Sequence, residues 1–211
     1  LALSGTPVVA GDFVGVADIP SLVFTPAADG NGTPYTTFTF QVEDDGGTAD
    51  GGANLDPTPN LLSVDVTAVN DAPEVSLAVS SLSMDEDSVG VLPAGVISFA
   101  DVDAGAETVQ ASLSADQGAI SLGSVAGLVF SVGDGVADSA MVFQCTVAEL
   151  NAAVANSQYA PPADYVGDVA ILIVLNDQGN TGSGGALEDS ATLAITVDPV
   201  NDAPVADAQS V

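Results

Sequence analysis

Lysine, arginine and histidine are all missing from these 211 residues, tryptophan is missing too, and cysteine occurs once. Each absence removes a class of chemistry. Without His or Lys there is no base for an acyl-transfer triad. A single thiol and no imidazole cannot build a zinc site. The same thiol, Cys145, has no partner for an internal disulfide and no cationic neighbour to hold a reactive thiolate. Nucleic acids and anionic membrane surfaces would repel the chain, because nothing on its side chains is positive. Trypsin has no site to cut. Long apolar runs are absent as well: the longest, Val169–Leu175, is far too short to cross a bilayer, so no membrane insertion is expected. There is no initiator Met, no basic leader and no cleavage site, which reads as a mature fragment or a slice of something longer.

What is present is acid. Twenty-nine Asp and Glu give a net charge of −29, so no side-chain salt bridge can form within the chain. Apolar residues still make up 47% and mean hydropathy is +0.42, which separates the chain from an acidic disordered tail. Such an acidic balance suits a solvated surface of the salt-loving kind, a divalent-cation binder, or both. The acids cluster at turns beside Asn and Gly, which favours calcium. Paired carboxylates could do acid–base work, but nothing marks a pair in a cleft, and few aromatics remain to stack on a sugar. Catalysis is not expected.

The pattern along the chain is all-β. Tyr35–Val42 alternates aromatic and polar residues with period two; Val64–Val69 and Leu193–Val197 read as strands, and Val169–Leu175 as a fully apolar one. Met141, Phe143 and Cys145 fall on one strand face, which makes the thiol a buried, inert side chain. Only Val147–Ala155 reads as helix, and a short one. Gly, Asp, Asn and Pro break these runs at the short spacing of a β-sandwich.

The chain also matches itself. "VNDAP" stands at 69–73 and again at 200–204. "TPAADGNG" (25–32) matches "APPADYVG" (160–167), "VEDDGG" (42–47) matches "LNDQGN" (175–180), and "GGANLD" (51–56) matches "GGALED" (184–189), all in the same order. The expected organisation is the C-terminal part of one module over 1–69 and a junction linker at 70–73. A complete module over 74–199 follows, then a junction with the first strand of a following module over 200–211.

These joints, with "MDEDS" (84–88), "ADVDAG" (100–105), "QYAPPADYVG" (158–167) and "NDQGNTGSGGALEDSATLAITV" (176–197), resemble the cadherin-like repeats of very large bacterial surface proteins of the VCBS and RTX-adhesin type. The resemblance covers nearly the whole chain. It implies tandem Ig-like β-sandwich modules joined end to end, an extracellular or cell-surface location, and calcium held at the junctions. Calcium takes six to eight oxygen ligands, from carboxylates, carbonyls and amides. At the first joint the expected donors are Asn70 and Asp71 of the linker, with Asp101, Asp103 and Asp177 of the following module and Asp29 of the preceding one. Asp101 and Asp103 are expected to face one side of an extended segment. At the second joint they are Asn201, Asp202, Asp164 and Glu86; the flanking Asp85 and Asp87 leave open which acid of "MDEDS" points inward. The Asp-Arg-Glu loop of animal cadherins is absent, as it must be without Arg.

The leading expectation is a calcium-stiffened structural repeat of an extracellular fibre or giant adhesin, assembling head to tail into a filament. A glycan- or receptor-binding adhesin module is the alternative, as is a spacer domain of a secreted enzyme.

Overall fold

The structure, a computed structural model, describes residues 1–204; the expected opening strand at 205–211 lies outside the described residues. The chain is mostly β with several sheets, and it divides into two compact units, Leu1–Ala68 and Val69 onward.

The first unit holds β1 (Ala2–Leu3), β2 (Thr6–Pro7), β3 (Leu22–Val23), β4 (Gly32–Phe40) and β5 (Asn60–Val66). The first three form a small sheet in the order β2-β1-β3, and β4 and β5 form an antiparallel hairpin. No residue of this unit is buried. Phe13 and Val16 are 81% and 84% exposed, and Phe40, Leu61 and Leu62 are exposed on the hairpin.

The second unit has a core. Its strands are β6 (Glu74–Leu77), β7 (Ser81–Asp85), β8 (Gly90–Val91), β9 (Ile97–Ala100), β10 (Thr108–Ala115), β11 (Ala119–Ser121), β12 (Val129–Val132), β13 (Ala140–Thr146), β14 (Gln158–Ala160), β15 (Gly167–Asn176) and β16 (Glu188–Asp198). Six of them make one sheet, ordered β12-β13-β10-β15-β16-β7. Every neighbouring pair in it is antiparallel except β16 and β7, which run parallel. The order β11-β14-β8 forms a second sheet, and β6 pairs with β9.

Period-two patterning decides which side chains meet. Val109, Ala111 and Leu113 of β10 point inward with Met141, Phe143 and Cys145 of β13, Ile171, Ile173 and Leu175 of β15, and Leu193, Ile195 and Val197 of β16. Phe99, Ile120 and Tyr159 from the smaller sheets close the same core. Burial pushes the Cys145 thiol up to about 11, with Glu149 nearby adding to the effect. The Tyr159 hydroxyl donates to the Gln117 carbonyl at 3.0 Å, and burial followed by the charge of Asp116 raises it to about 12.

One α-helix, α1 (Val147–Val154), follows β13 directly. Thr146 caps it in a reciprocal box: the Glu149 N–H donates to Thr146 Oγ1, and the Thr146 N–H donates to Glu149 Oε2 at 2.9 Å. The Thr146 N–H and then its hydroxyl, both donating to Oε2, hold the Glu149 carboxyl below its ordinary value. The helix buries Leu150, Ala153 and Val154. Its Asn151 acts as a surrogate strand for β9, accepting from the Phe99 N–H at 3.0 Å and donating to the Phe99 carbonyl at 2.9 Å. Among the described residues no helix is long and apolar enough to cross a membrane.

Candidate metal centre

Two groups of polar loops lie at opposite ends of the hairpin made by β15 and β16. The first gathers around residues 69–71, which belong to the second unit and do not hang free of it. Val69 bridges Ser183, and the Asn70 N–H donates to the Ser183 carbonyl at 3.0 Å. The Asn70 side chain is buried. Its Nδ2 donates to Asp177 Oδ2 at 2.6 Å and to the Gly185 carbonyl at 3.0 Å. Asp177 is buried too, and its Oδ1 accepts from the N–H groups of Gly179 and Leu187, both at 2.8 Å. Both Asp177 oxygens are therefore engaged in folding the β15–β16 loop onto Asn70.

Asp101 and Asp103 approach from the loop after β9. This segment is a bend, where an extended run was expected. Asp101 Oδ1 accepts from the N–H groups of Asp103 and Ala104, at 3.1 and 3.0 Å, in an Asx turn. The turn, and not strand alternation, brings the two carboxylates together. Asp103 Oδ2 accepts from the Asp71 N–H at 3.0 Å, which ties this loop to the segment at 69–71. Thr181 donates to the Asp103 carbonyl. Asp71 itself is exposed and contributes its backbone here, not its carboxylate.

Three side-chain oxygens on these loops are buried and accept no hydrogen bond: Asn70 Oδ1, Asp101 Oδ2 and Asp103 Oδ1. Leaving a buried acceptor unmatched costs on the order of 1–3 kcal/mol, and more when it is charged. Burial, and then the Asp103 carboxylate beside it, raises the Asp101 carboxyl above its ordinary value. Two carboxylate oxygens and an amide oxygen are hard donors of the kind calcium takes. The donor set fits such an ion.

At the far end of the hairpin, Asp87, Asp164 and Asp202 each offer a carboxylate oxygen, all within 4.8 Å of one another. This exposed group of three could hold a metal ion. The Asp164 N–H donates to Asp87 Oδ1 at 3.1 Å, so two of the three are already linked. Glu86 turns inward instead: it is buried, its N–H donates to the Asp198 carbonyl at 2.9 Å, and its Oε1 accepts from the Val200 N–H at 2.8 Å. Asn201 is exposed and donates to the Asp202 carbonyl at 3.1 Å. Asp29 belongs to the first unit, exposed and with φ 58°. The sequence leaves open which of Asp85, Glu86 and Asp87 points inward, and it is Glu86 that is buried while Asp87 is exposed. The positive φ of Asp87, 55°, puts it in a tight turn just beyond β7, which separates its direction from that of Glu86.

Comparisons with protein-family models, with curated proteins and with solved structures found no match.

Proposed function

We propose that this chain is a calcium-stiffened structural repeat of an extracellular bacterial fibre or giant surface adhesin, built from tandem cadherin-like, Ig-like β-sandwich modules. The observation that carries the reading is the trio of buried, unmatched oxygens on Asn70, Asp101 and Asp103. Calcium would accept all three, with Asp177 orienting Asn70 and the linker thereby fixed to the module that follows it. Asp87, Asp164 and Asp202 would hold ion at the next joint, with Glu86 securing the backbone beside them.

Matching local geometry supports the repeat. The Gly46 N–H donates to Asp44 Oδ1 at 2.9 Å, as the Gly179 N–H does to Asp177 Oδ1 at 2.8 Å. The Asp44 N–H donates to the Asn54 carbonyl, as the Asp177 N–H does to that of Leu187. Asp29 and Asp164 have φ of 58° and 57°, each in its "PADxxG"-like turn. An antiparallel pair, β1 with β3 or β11 with β14, precedes each long hairpin.

The tyrosines favour a structural role over glycan or receptor recognition. Tyr159 is buried, the Tyr35 hydroxyl accepts from the Ala27 N–H, and the Tyr165 hydroxyl donates to the Asp168 carbonyl. Phe13 and Phe40 are exposed, but neither is a tyrosine held out from a loop of the second unit's core. Head-to-tail assembly into a filament belongs to the same proposal, because the first unit leaves apolar residues uncovered and both outer edges of its β4–β5 hairpin unpaired among the described residues. Repetition of such a contact does not close on itself.

Calorimetric titration with calcium, paired with melting curves, tests the reading. Saturable binding and a rise in melting temperature are expected, since an ion bound only by the folded form stabilises it by mass action. Identical melting in calcium and in chelator would overturn it. Sedimentation at increasing protein concentration tests the filament separately.

A further inference from the structure

The chain enters the second unit at one end and leaves it at the other. Asn70 is fixed against the loop that precedes β16, whereas Asp198 ends β16, whose 11 residues extend roughly 35 Å at about 3.3 Å per residue. Between entry and exit lies the single parallel pairing of the large sheet. Ser81 to Asp85 of β7 face Ala194 to Asp198 of β16, in register.

We infer that β7 and β16 form a mechanical clamp, which makes the second unit resist tension applied along the chain. The direction of load decides this. Tension at the linker draws β7 by its leading end towards the entry. Tension at residue 204 draws β16 by its trailing end towards the exit. Because the two strands are parallel neighbours, these pulls are opposed along one axis, and the rungs between them are sheared together. An antiparallel pair loaded at its open end would instead peel apart one rung at a time.

The rungs extend past the strands. The Ala194 N–H donates to the Ser80 carbonyl at 3.0 Å, and the Glu86 N–H donates to the Asp198 carbonyl at 2.9 Å. Those two bonds mark the register and make Leu82 and Met84 the donors of β7 between them. Val200 N–H to Glu86 Oε1 adds a last bond beyond the sheet. Packing backs the hydrogen bonds: Ile195 and Val197 are buried, and Leu82 and Met84 lie against the same core. Gly90 leaves room for the Met84 side chain, because a Cβ there would meet Met84 Cε at 2.5 Å. Nearer the entry, β6 has four register pairs with β9, and the Val75 N–H is held by Asp189 Oδ2 at 2.8 Å. None of these bonds involves a cation, so the clamp goes beyond the calcium reading and does not depend on it.

Single-molecule force spectroscopy on the full chain tests this. One arm pulls through the two termini; the other pulls through residue 1 and a handle on Ala186→Cys, an exposed position in the loop before β16. The native Cys145 is buried and does not compete for the handle. The second unit's event is recognised by the length it releases, roughly 3.5 Å per residue. Unfolding under force follows the unfolding rate, so terminal pulling should need at least about twofold more force than pulling at position 186. Met84→Pro, which removes a central rung, should abolish that excess. Equal force in the two geometries would overturn the inference, and that comparison stands even if Met84→Pro fails to fold. Both arms are run in calcium and in chelator. An excess that persists in chelator supports the clamp, whereas one that vanishes there would assign the resistance to the ion and overturn it.

Discussion

The Asn70 amide donates to Asp177 Oδ2 at 2.6 Å across 107 positions of sequence, in a site where both side chains are buried. That contact fixes the rotation of the amide. With Nδ2 committed to Asp177 and Gly185, Oδ1 has no choice of partner left to it. Asn70 is thus held by the second unit before any ion is considered.

Asn70→Ala removes one unmatched oxygen but strands Asp177 Oδ2. It should destabilise the second unit by about 1–3 kcal/mol in chelator, the usual cost of an abandoned buried partner. Denaturant unfolding measures this directly.

Asp103→Asn should have opposite effects in two buffers. In chelator it relieves the crowding of two carboxylates and should leave stability unchanged or raised. In calcium it removes a charged donor, so the rise in melting temperature should shrink. A variant that lowers melting by the same amount in both buffers would show that Asp103 has only a structural part.

The pH dependence has a definite sign. The folded Asp101 carboxyl sits above its ordinary value of 3.8, so the folded form holds that proton more tightly than the unfolded chain does. Its contribution in chelator is therefore fully present below about 3.8 and is lost as pH rises through the raised folded value. Asp101→Asn should flatten this part of the stability profile, and the difference between the two profiles isolates the residue from the other acids. Calcium should release protons on binding in the same window.

Asn151 and Thr146 test how α1 supports the core. Thr146→Ala should cost about 1 kcal/mol through loss of the N-cap. Asn151→Ala should cost more, about 2 kcal/mol, because it leaves both the N–H and the carbonyl of Phe99 without their partner. Thermal or denaturant melts distinguish the two.

Periodicity made much of the second unit legible. The common face of Met141, Phe143 and Cys145 follows from side-chain alternation, and the short helix beginning at Val147 and the strand through the apolar run Val169–Leu175 are also present. The polar loops were harder, because their geometry depends on which oxygen accepts which N–H. Alternation could not reveal the Asx turn at Asp101, nor that both oxygens of Asp177 are spent on the loop and on Asn70. It also could not decide among Asp85, Glu86 and Asp87. A positive φ at Asp87 breaks the strand pattern there, and only the backbone path shows it.

The unburied state of residues 1–68 bears on how this chain would report its own unfolding. Backbone amides in β4 and β5 have only one hairpin partner and no buried side chain above them, so deuterium should replace their protons through small local openings. Amides in β10, β13 and β15, at the centre of the large sheet, should wait for the whole second unit to open. The denaturant slope scales with the surface that unfolding exposes. It should accordingly match a protein the size of the second unit, and fall short of the value that the full chain length would give.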